Sequence, residues 1–162
     1  MRPVASKSRQ IGAPGVDPAR QNGRVISRVV ATDVQLFERA ARTFGATNGG
    51  GQAYLESTGA LAFVASDRDR IFGWCWGYHL IRPDSSSMLY LHQLEVAEDH
   101  RRRGIGRALL WAFMRAGAQA GATRMFLTTR ETNAPARALY DSLGGGLAAH
   151  GPTVNYWFLL NP

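Results

Sequence analysis

The chain of 162 residues has a single cysteine, Cys75, and a single lysine, Lys7. One cysteine excludes an internal disulfide framework and any zinc cluster built on thiolates. Cys75 lies in the apolar run Ile71-Phe72-Gly73-Trp74-Cys75-Trp76, which suits a packed core thiol. The four histidines, His79, His92, His100 and His150, are scattered without metal-ligand spacing, so no metal is expected. No apolar run approaches the ~18–20 residues of a membrane span. The first residues carry no apolar segment of the kind that marks a secretory signal. These absences lead to the expectation of a cytoplasmic protein with no membrane attachment.

Acid is scarce as well: 12 Asp and Glu stand against 19 Lys and Arg, a formal net charge of +7. The basic groups collect in two places. Arg2, Lys7, Arg9, Arg20 and Arg24 face only Asp17 in the first stretch, and Arg101, Arg102, Arg103 and Arg107 form the second. Neither stretch interleaves aromatics, and the second has a better explanation below, so no nucleic-acid partner is expected. Residues 1–24 are polar, basic and without period, and read as a disordered arm ahead of one domain over 25–162.

The rest of the chain alternates between two periods. Val25–Val30 reads as a strand. A helix over Val34–Thr43 follows, with Thr32 or Asp33 as cap and Leu36, Phe37, Ala40 and Ala41 on one face. The run Asn48-Gly49-Gly50-Gly51 reads as a flexible break, and Tyr54-Leu55-Glu56 as a short helix start. Strands are expected over Ala60–Ala65, Ile71–Leu80 and Met88–Val96. A long helix over Gly104–Ala120 comes next, then a strand over Arg124–Thr129, a helix over Ala134–Ser142 and a final strand near Thr153–Leu160. This order implies an α/β domain with a mixed sheet and a β-α-β crossover from Met88–Val96 to Arg124–Thr129.

The chemical signal is Arg101-Arg102-Arg103-Gly104-Ile105-Gly106-Arg107-Ala108-Leu109-Leu110, directly after a strand. Glycines at a helix start let the backbone approach a ligand closely. The first-turn N–H groups lack intrahelical partners and lie at the positive end of the helix dipole. Such a terminus binds anions, and neighbouring arginines add charge-assisted contacts to phosphate oxygens. A P-loop would need a lysine and hydroxyl after the second glycine, and a dinucleotide fingerprint would need glycine where Leu109 stands. Neither fits, and taken alone the run reads equally as a helix start with a solvated basic face.

The pattern Arg-x-x-Gly-x-Gly, preceded by Leu94-Glu95-Val96, resembles the acetyl-CoA loop of the GNAT superfamily of N-acetyltransferases. A second match lies downstream, Asn133-x-x-Ala136-x-x-Leu139-Tyr140 before a glycine turn. The resemblance covers about residues 25–160. It implies a mostly antiparallel sheet of about six to seven strands, splayed at the central cofactor strand, and direct transfer of acetyl from acetyl-CoA to an amine. The runs Gly77-Tyr78-x-Leu80-x-Arg82-Pro83-Asp84, Ser87-Met88-Leu89-Tyr90-Leu91 and His100–Leu109 resemble the aminoglycoside 3-N-acetyltransferase branch.

The resemblance implies roles residue by residue. Backbone of Arg102 to Arg107, within the loop Arg101, Arg102, Arg103, Gly104, Ile105, Gly106, Arg107 and Ala108, would hold the pyrophosphate. Leu94 and Val96 would pair with the pantetheine arm beside a strand splay at Glu95. Asn133 and Ala136 would contact the cofactor. Tyr140 would protonate the departing thiolate, a phenol being suited to a thiolate of similar basicity. By itself Tyr140 reads as a packing residue beside Leu139 and Leu143, and Asn133 as a simple cap.

The base has two candidates, His92 and Glu95, and a lone histidine on a strand is more often structural. Strict alternation would put His92, Leu94 and Val96 on one face and Gln93 and Glu95 on the other. The narrower branch places an acid where this chain has Gln93, and a polycationic acceptor favours acidic surroundings. Gln93, Tyr78 and Glu131 are the expected acceptor contacts. Trp74, Trp76 and Tyr78 share a face, either as core or as a wall against an aromatic or sugar acceptor. The readings are thus acetylation of a small amine, an aminoglycoside antibiotic first; acetylation of a protein N-terminus or lysine; or a non-catalytic acetyl-CoA-binding module. The resemblance also implies a homodimer.

Overall fold

A computed structural model describes residues 20–21, 24–46, 48–67, 70–148, 156 and 158–160. Its sheet has six strands in the order β1-β2-β3-β4-β5-β6, or five when the two-residue β1 is set aside. They are β1 (Arg20–Gln21), β2 (Arg24–Val29), β3 (Ala60–Asp67), β4 (Arg70–Ile81), β5 (Ser87–Val96) and β6 (Met125–Leu127). All neighbours are antiparallel except β5 and β6, which run parallel. That parallel pair is joined by the expected crossover, α3 (Ile105–Gln119). The other helices are α1 (Val34–Thr43), α2 (Gly51–Glu56) and α4 (Ala134–Ser142).

The sheet is buried on both faces at β3. Along β3, Leu61, Phe63 and Ala65 pack into one cluster with Ile105, Leu109, Leu110 and Phe113 of α3. Ala62 and Val64 alternate into a second cluster with Phe37 and Ala40 of α1 and Trp74 of β4. Phe113 is fully buried, which contributes on the order of 2–3 kcal/mol by area. Gly117 lets α3 close down on β5, since a Cβ there would lie 2.3 Å from Leu89 Cδ1. Cys75 is buried, as its apolar run implied, and burial raises its thiol pKa.

Several expectations change in detail. α2 begins inside the glycine run, at Gly51, so the expected break is shorter than the four residues from Asn48. Neither Thr32 nor Asp33 caps α1 by a side-chain bond to the helix. A 3-10 turn over Ala31–Asp33 intervenes, and the Asp33 carboxylate accepts from Val30 N–H at 3.4 Å. The final strand expected near Thr153–Leu160 falls largely outside the described residues; Tyr156 and Phe158–Leu160 belong to no strand and are exposed. Of the expected arm, residues 20, 21 and 24 are in strands, and the others lie outside the described residues.

The alternation expected along β5 is broken. Trp76 pairs with Gln93 and Gly77 with Leu91, so His92 is an extra residue in the ladder. The bulge leans on Gly77, where a Cβ would lie 1.9 Å from the Tyr90 carbonyl oxygen. Leu89 and Leu91 pack toward α3 before the bulge, and Leu94 and Val96 pack toward it after the bulge. His92 therefore does not share a face with Leu94 and Val96. Its ring instead lies 4.2 Å from Trp76, the side chain that also meets Gln93.

Candidate active site

Pairing between β5 and β6 runs from Leu89–Met125 through Tyr90–Phe126 to Leu91–Leu127 and stops there. β5 continues to Val96 with no strand paired along its β6 side, among the described residues. The splay thus opens at His92, three positions ahead of Glu95, where the bulge turns the strand. Backbone N–H and C=O groups left without a strand partner are obligatory hydrogen-bonding groups that a ligand can take.

The loop lies just beyond the end of β5. Gly104 precedes α3 with φ 78, and Arg102 also takes a positive φ of 57. Nothing stands within 4 Å of where a Gly104 Cβ would be, so the helix start faces open space. Arg101, Arg102, Arg103, Gly104 and Arg107 are exposed, whereas Ile105 is buried as the anchor of the turn. A Cβ on Gly106 would lie 3.4 Å from Leu139 and 3.6 Å from Val96, and Ala108 N–H donates to the Gly104 carbonyl. The loop is therefore fixed beneath and open above, an arrangement suited to a phosphate group.

The four arginines divide into two kinds. Arg101 Nε donates to the Val96 carbonyl at 3.1 Å, tying the loop back to the strand. Arg107 Nη1 donates to Ser142 Oγ at 3.2 Å, tying α3 to α4. Arg102 and Arg103 enter no ion pair within 4.0 Å among the described residues. The Val96 carbonyl expected to meet the pantetheine arm is thus already engaged by Arg101.

α4 brings the second motif to the same side of the sheet. Asn133 is its cap and accepts from Ala136 N–H at 3.3 Å, with Pro135 in the first turn. Leu139 and Tyr140 pack against the α3 cluster together with Leu94 and Val96. Tyr140 is half-buried, and burial raises its phenol above the ordinary 10.0. No hydrogen bond holds its hydroxyl among the described residues.

The opposite face of β4 and β5 carries the other candidates. Trp74, Trp76 and Tyr78 follow one another there, with Trp76 6.2 Å from Trp74 and 6.4 Å from Tyr78. Tyr54, from α2, packs edge-on against Trp76 at 5.2 Å and against Tyr78 at 5.5 Å. Its hydroxyl lies in the β3–β4 ladder, 2.7 Å from the Gly77 carbonyl and 3.1 Å from that of Leu61. Burial drives that phenol far above its ordinary value.

Three polar side chains line up beside the rings. Trp76 Nε1 donates to Gln93 Oε1 at 3.0 Å, and Gln93 Nε2 donates to Glu95 Oε1 at 2.9 Å. His92 is exposed, with its Nδ1 3.1 Å from the Tyr90 hydroxyl. Tyr90 stacks on Phe126 at 4.6 Å. Glu131 is exposed in the turn before α4, where its carbonyl accepts from Arg137, and no hydrogen bond or ion pair joins it to Gln93 or Tyr78 among the described residues. Of the expected acceptor residues, Gln93 and Tyr78 are thus linked through Trp76.

Sequence reasoning missed Tyr54 as the anchor of this face, the chain from Trp76 to Glu95, and the place of the bulge. The bulge did have a signal. Apolar residues fall at Leu89 and Leu91, then at Leu94 and Val96, and the three-residue step between Leu91 and Leu94 marks the phase change. Among the described residues no three or more metal-binding side chains gather, and no helix is long and apolar enough to cross a membrane.

The chain resembles known proteins along most of its length. A mycothiol acetyltransferase from Kocuria rhizophila is 33% identical over 96 residues, 58% of this chain and 32% of that protein, so the chain spans about a third of its relative's length. A crystal structure of an aminoglycoside acetyltransferase from an uncultured soil metagenomic sample, in complex with sisomicin, superimposes with TM-score 0.76 at 21% identity, covering 86% of this chain and 98% of that one. A second aminoglycoside acetyltransferase from such a sample gives TM-score 0.72 at 25% identity over 85% of this chain and 99% of that one. With residues 31–144 matching it, this chain belongs to the acetyltransferase (GNAT) family.

Proposed function

We propose that this protein is an N-acetyltransferase that moves acetyl from acetyl-CoA to a primary amine of a small molecule. The observation that carries the reading is the splay past Leu91–Leu127, which separates two differently equipped faces. One face has the open loop before α3, with Leu94, Val96 and Tyr140. The other has the aromatic rings with His92, Gln93 and Glu95.

The chain's residues would act as follows. Backbone N–H groups of Arg102 to Arg107 bind the pyrophosphate, with Arg102 and Arg103 adding charge. Unpaired backbone of β5 near Leu94 holds the pantetheine arm and polarises the carbonyl to be attacked. Asn133 and Ala136 border the arm at the start of α4. Acetyl-CoA supplies the thioester. Glu95 takes a proton from the incoming amine, the nitrogen bonds to the acetyl carbon, the carbon–sulfur bond breaks, and Tyr140 gives its proton to the sulfur. His92, exposed and one step away at the bulge, is the second candidate base. Solvent returns both groups to their starting states.

An aminoglycoside is the first acceptor to test, by likeness to the two soil acetyltransferases. The 3-amino group is the position the sequence resemblance implied, and product analysis would read it directly. A second reading has its own support: Tyr78, Tyr90 and Phe126 offer rings, but Glu95 is the carboxylate joined to Gln93. A single carboxylate beside rings suits a monoamine on a flat body better than a polycation.

The test is thiol release from acetyl-CoA with aminoglycosides, polyamines, arylalkylamines and N-terminal peptides in parallel. Turnover with an aminoglycoside supports the first acceptor, and turnover confined to arylalkylamines supports the second. Binding of CoA by calorimetry with no turnover on any amine would leave a binding module and overturn the enzymatic reading.

A further inference from the structure

We propose that Trp76 and Gln93 are positioning residues for Glu95, fixing by two successive hydrogen bonds the carboxylate whose other oxygen receives the amine proton. The inference rests on the reading of Glu95 as proton acceptor and adds to it how that group is held. Indole nitrogen is a donor only, so the Gln93 atom 3.0 Å from Trp76 Nε1 must be the amide oxygen. The amide nitrogen is then the atom 2.9 Å from Glu95 Oε1, and an ionised carboxylate accepts only. Reversing the amide would set N–H against N–H at one end and oxygen against oxygen at the other. The orientation of Gln93 is thus dictated from both sides.

Trp76 is itself held. Its ring meets Tyr54 at 5.2 Å, His92 at 4.2 Å and Trp74 at 6.2 Å. Tyr54 is in turn pinned by its hydroxyl to Gly77 and Leu61. Register adds to this, because Trp76 lies opposite Gln93 and Trp74 opposite Glu95 across the β4–β5 ladder. One oxygen of Glu95 is occupied by Gln93. The other has no hydrogen bond or ion pair among the described residues, which leaves it for the amine.

Gln93 also explains itself chemically. A carboxylate in its place would accept from Trp76 equally well, but would face Glu95 with a like charge instead of a donor. The neutral amide gives Glu95 a donor and adds no second anion. Side chains that aim a reacting group in this way matter because a misplacement of about 1 Å costs up to ~100-fold in rate.

The experiment uses the full chain and the amine identified by thiol release. Gln93→Met keeps the volume and removes both hydrogen bonds. It should lower kcat roughly 10- to 100-fold, with KM for acetyl-CoA within about twofold of wild type. Gln93→Glu keeps the bond from Trp76 and should lose as much. Trp76→Phe should lose roughly 3- to 10-fold. Adding Gln93→Met to Glu95→Gln should cost little further, since both act on one interaction. Retained kcat in Gln93→Glu would overturn the proposal, because the donor to Glu95 would then be dispensable. An undiminished Glu95→Gln would instead sink the base assignment. A readout free of turnover is the Trp76 indole N–H resonance, assigned with Trp76→Phe. It should move in both Gln93→Met and Glu95→Ala, and a resonance indifferent to both overturns the chain of bonds.

Discussion

A Cβ placed on Gly77 would stand 1.9 Å from the Tyr90 carbonyl oxygen across the β4–β5 ladder. Gly77 is therefore the floor on which the His92 bulge rests, and the bulge is what sends Gln93 and Glu95 to the aromatic face. Gly77→Ala must displace backbone, not a flexible side chain. We expect it to destabilise the fold by about 1–3 kcal/mol, read from the urea midpoint. It should also reduce acetyl transfer more than CoA affinity, since the loop before α3 is anchored elsewhere. An alanine variant with unchanged midpoint and kcat would show that the bulge is not fixed by this contact.

The helices were legible because their periods and ends are local. α1 and α4 begin and end where apolar spacing, Asn133 and the residue before Gly144 place them. Asn133 serves as a cap whatever else it does, so its position required no knowledge of the sheet. The pairings that build the acceptor face are different. Trp76 and Gln93 are seventeen residues apart, and their bond depends on a register that one extra residue on β5 sets. Tyr54 read only as the first residue of a short helix, because nothing near it in sequence announces a place for its hydroxyl between β3 and β4. Arg101 read as a phosphate ligand from charge alone, and only the folded loop directs its Nε to Val96.

Tyr54 should therefore matter to stability as well as shape. Its hydroxyl meets backbone of Gly77 and Leu61, and Tyr54→Phe leaves those groups short of a partner. A loss of roughly 1–3 kcal/mol is expected at neutral pH. Burial raises its phenol pKa, so the stabilisation is complete below the ordinary 10.0 and lost as pH rises toward the folded value. Wild type should accordingly lose more stability than Tyr54→Phe when chemical unfolding is repeated above pH 10. Equal losses in the two proteins would remove Tyr54 from the alkaline transition.

Arg101 and Arg102 should separate under substitution although both are exposed arginines of one loop. Arg101→Ala releases the Val96 carbonyl and the tie between strand and loop. CoA affinity should fall about tenfold or more, and Arg101→Lys should restore little of it, because Nε geometry is lost. Arg102→Ala removes charge alone, so its smaller effect should fade as salt is raised. Calorimetry of CoA at two ionic strengths checks both. A salt-sensitive loss in Arg101→Ala equal to that in Arg102→Ala would mean that charge, not the tie to Val96, is what Arg101 contributes.

Tyr140 packs beside Leu139 on the α3 cluster, yet its hydroxyl has no hydrogen bond among the described residues. A packing tyrosine and a proton donor predict different outcomes for the same change. Tyr140→Phe keeps the ring, so a packing role predicts turnover near wild type. As donor to the departing sulfur, Tyr140 predicts a loss of roughly 100-fold or more in kcat with KM for acetyl-CoA little changed. The pH dependence carries a sign. Burial raises the phenol above 10.0, so the donor stays protonated through the neutral range. In wild type, kcat limited by this donor should hold to pH 10 and fall only above it, and that fall should be missing from the residual activity of the Phe variant. Stability has the same direction: the neutral phenol's contribution is complete below 10.0 and is lost as pH rises through the folded value. Thiol release from pH 6 to 11 with both proteins decides between the roles, and a Phe variant that keeps wild-type kcat across that range returns Tyr140 to packing alone.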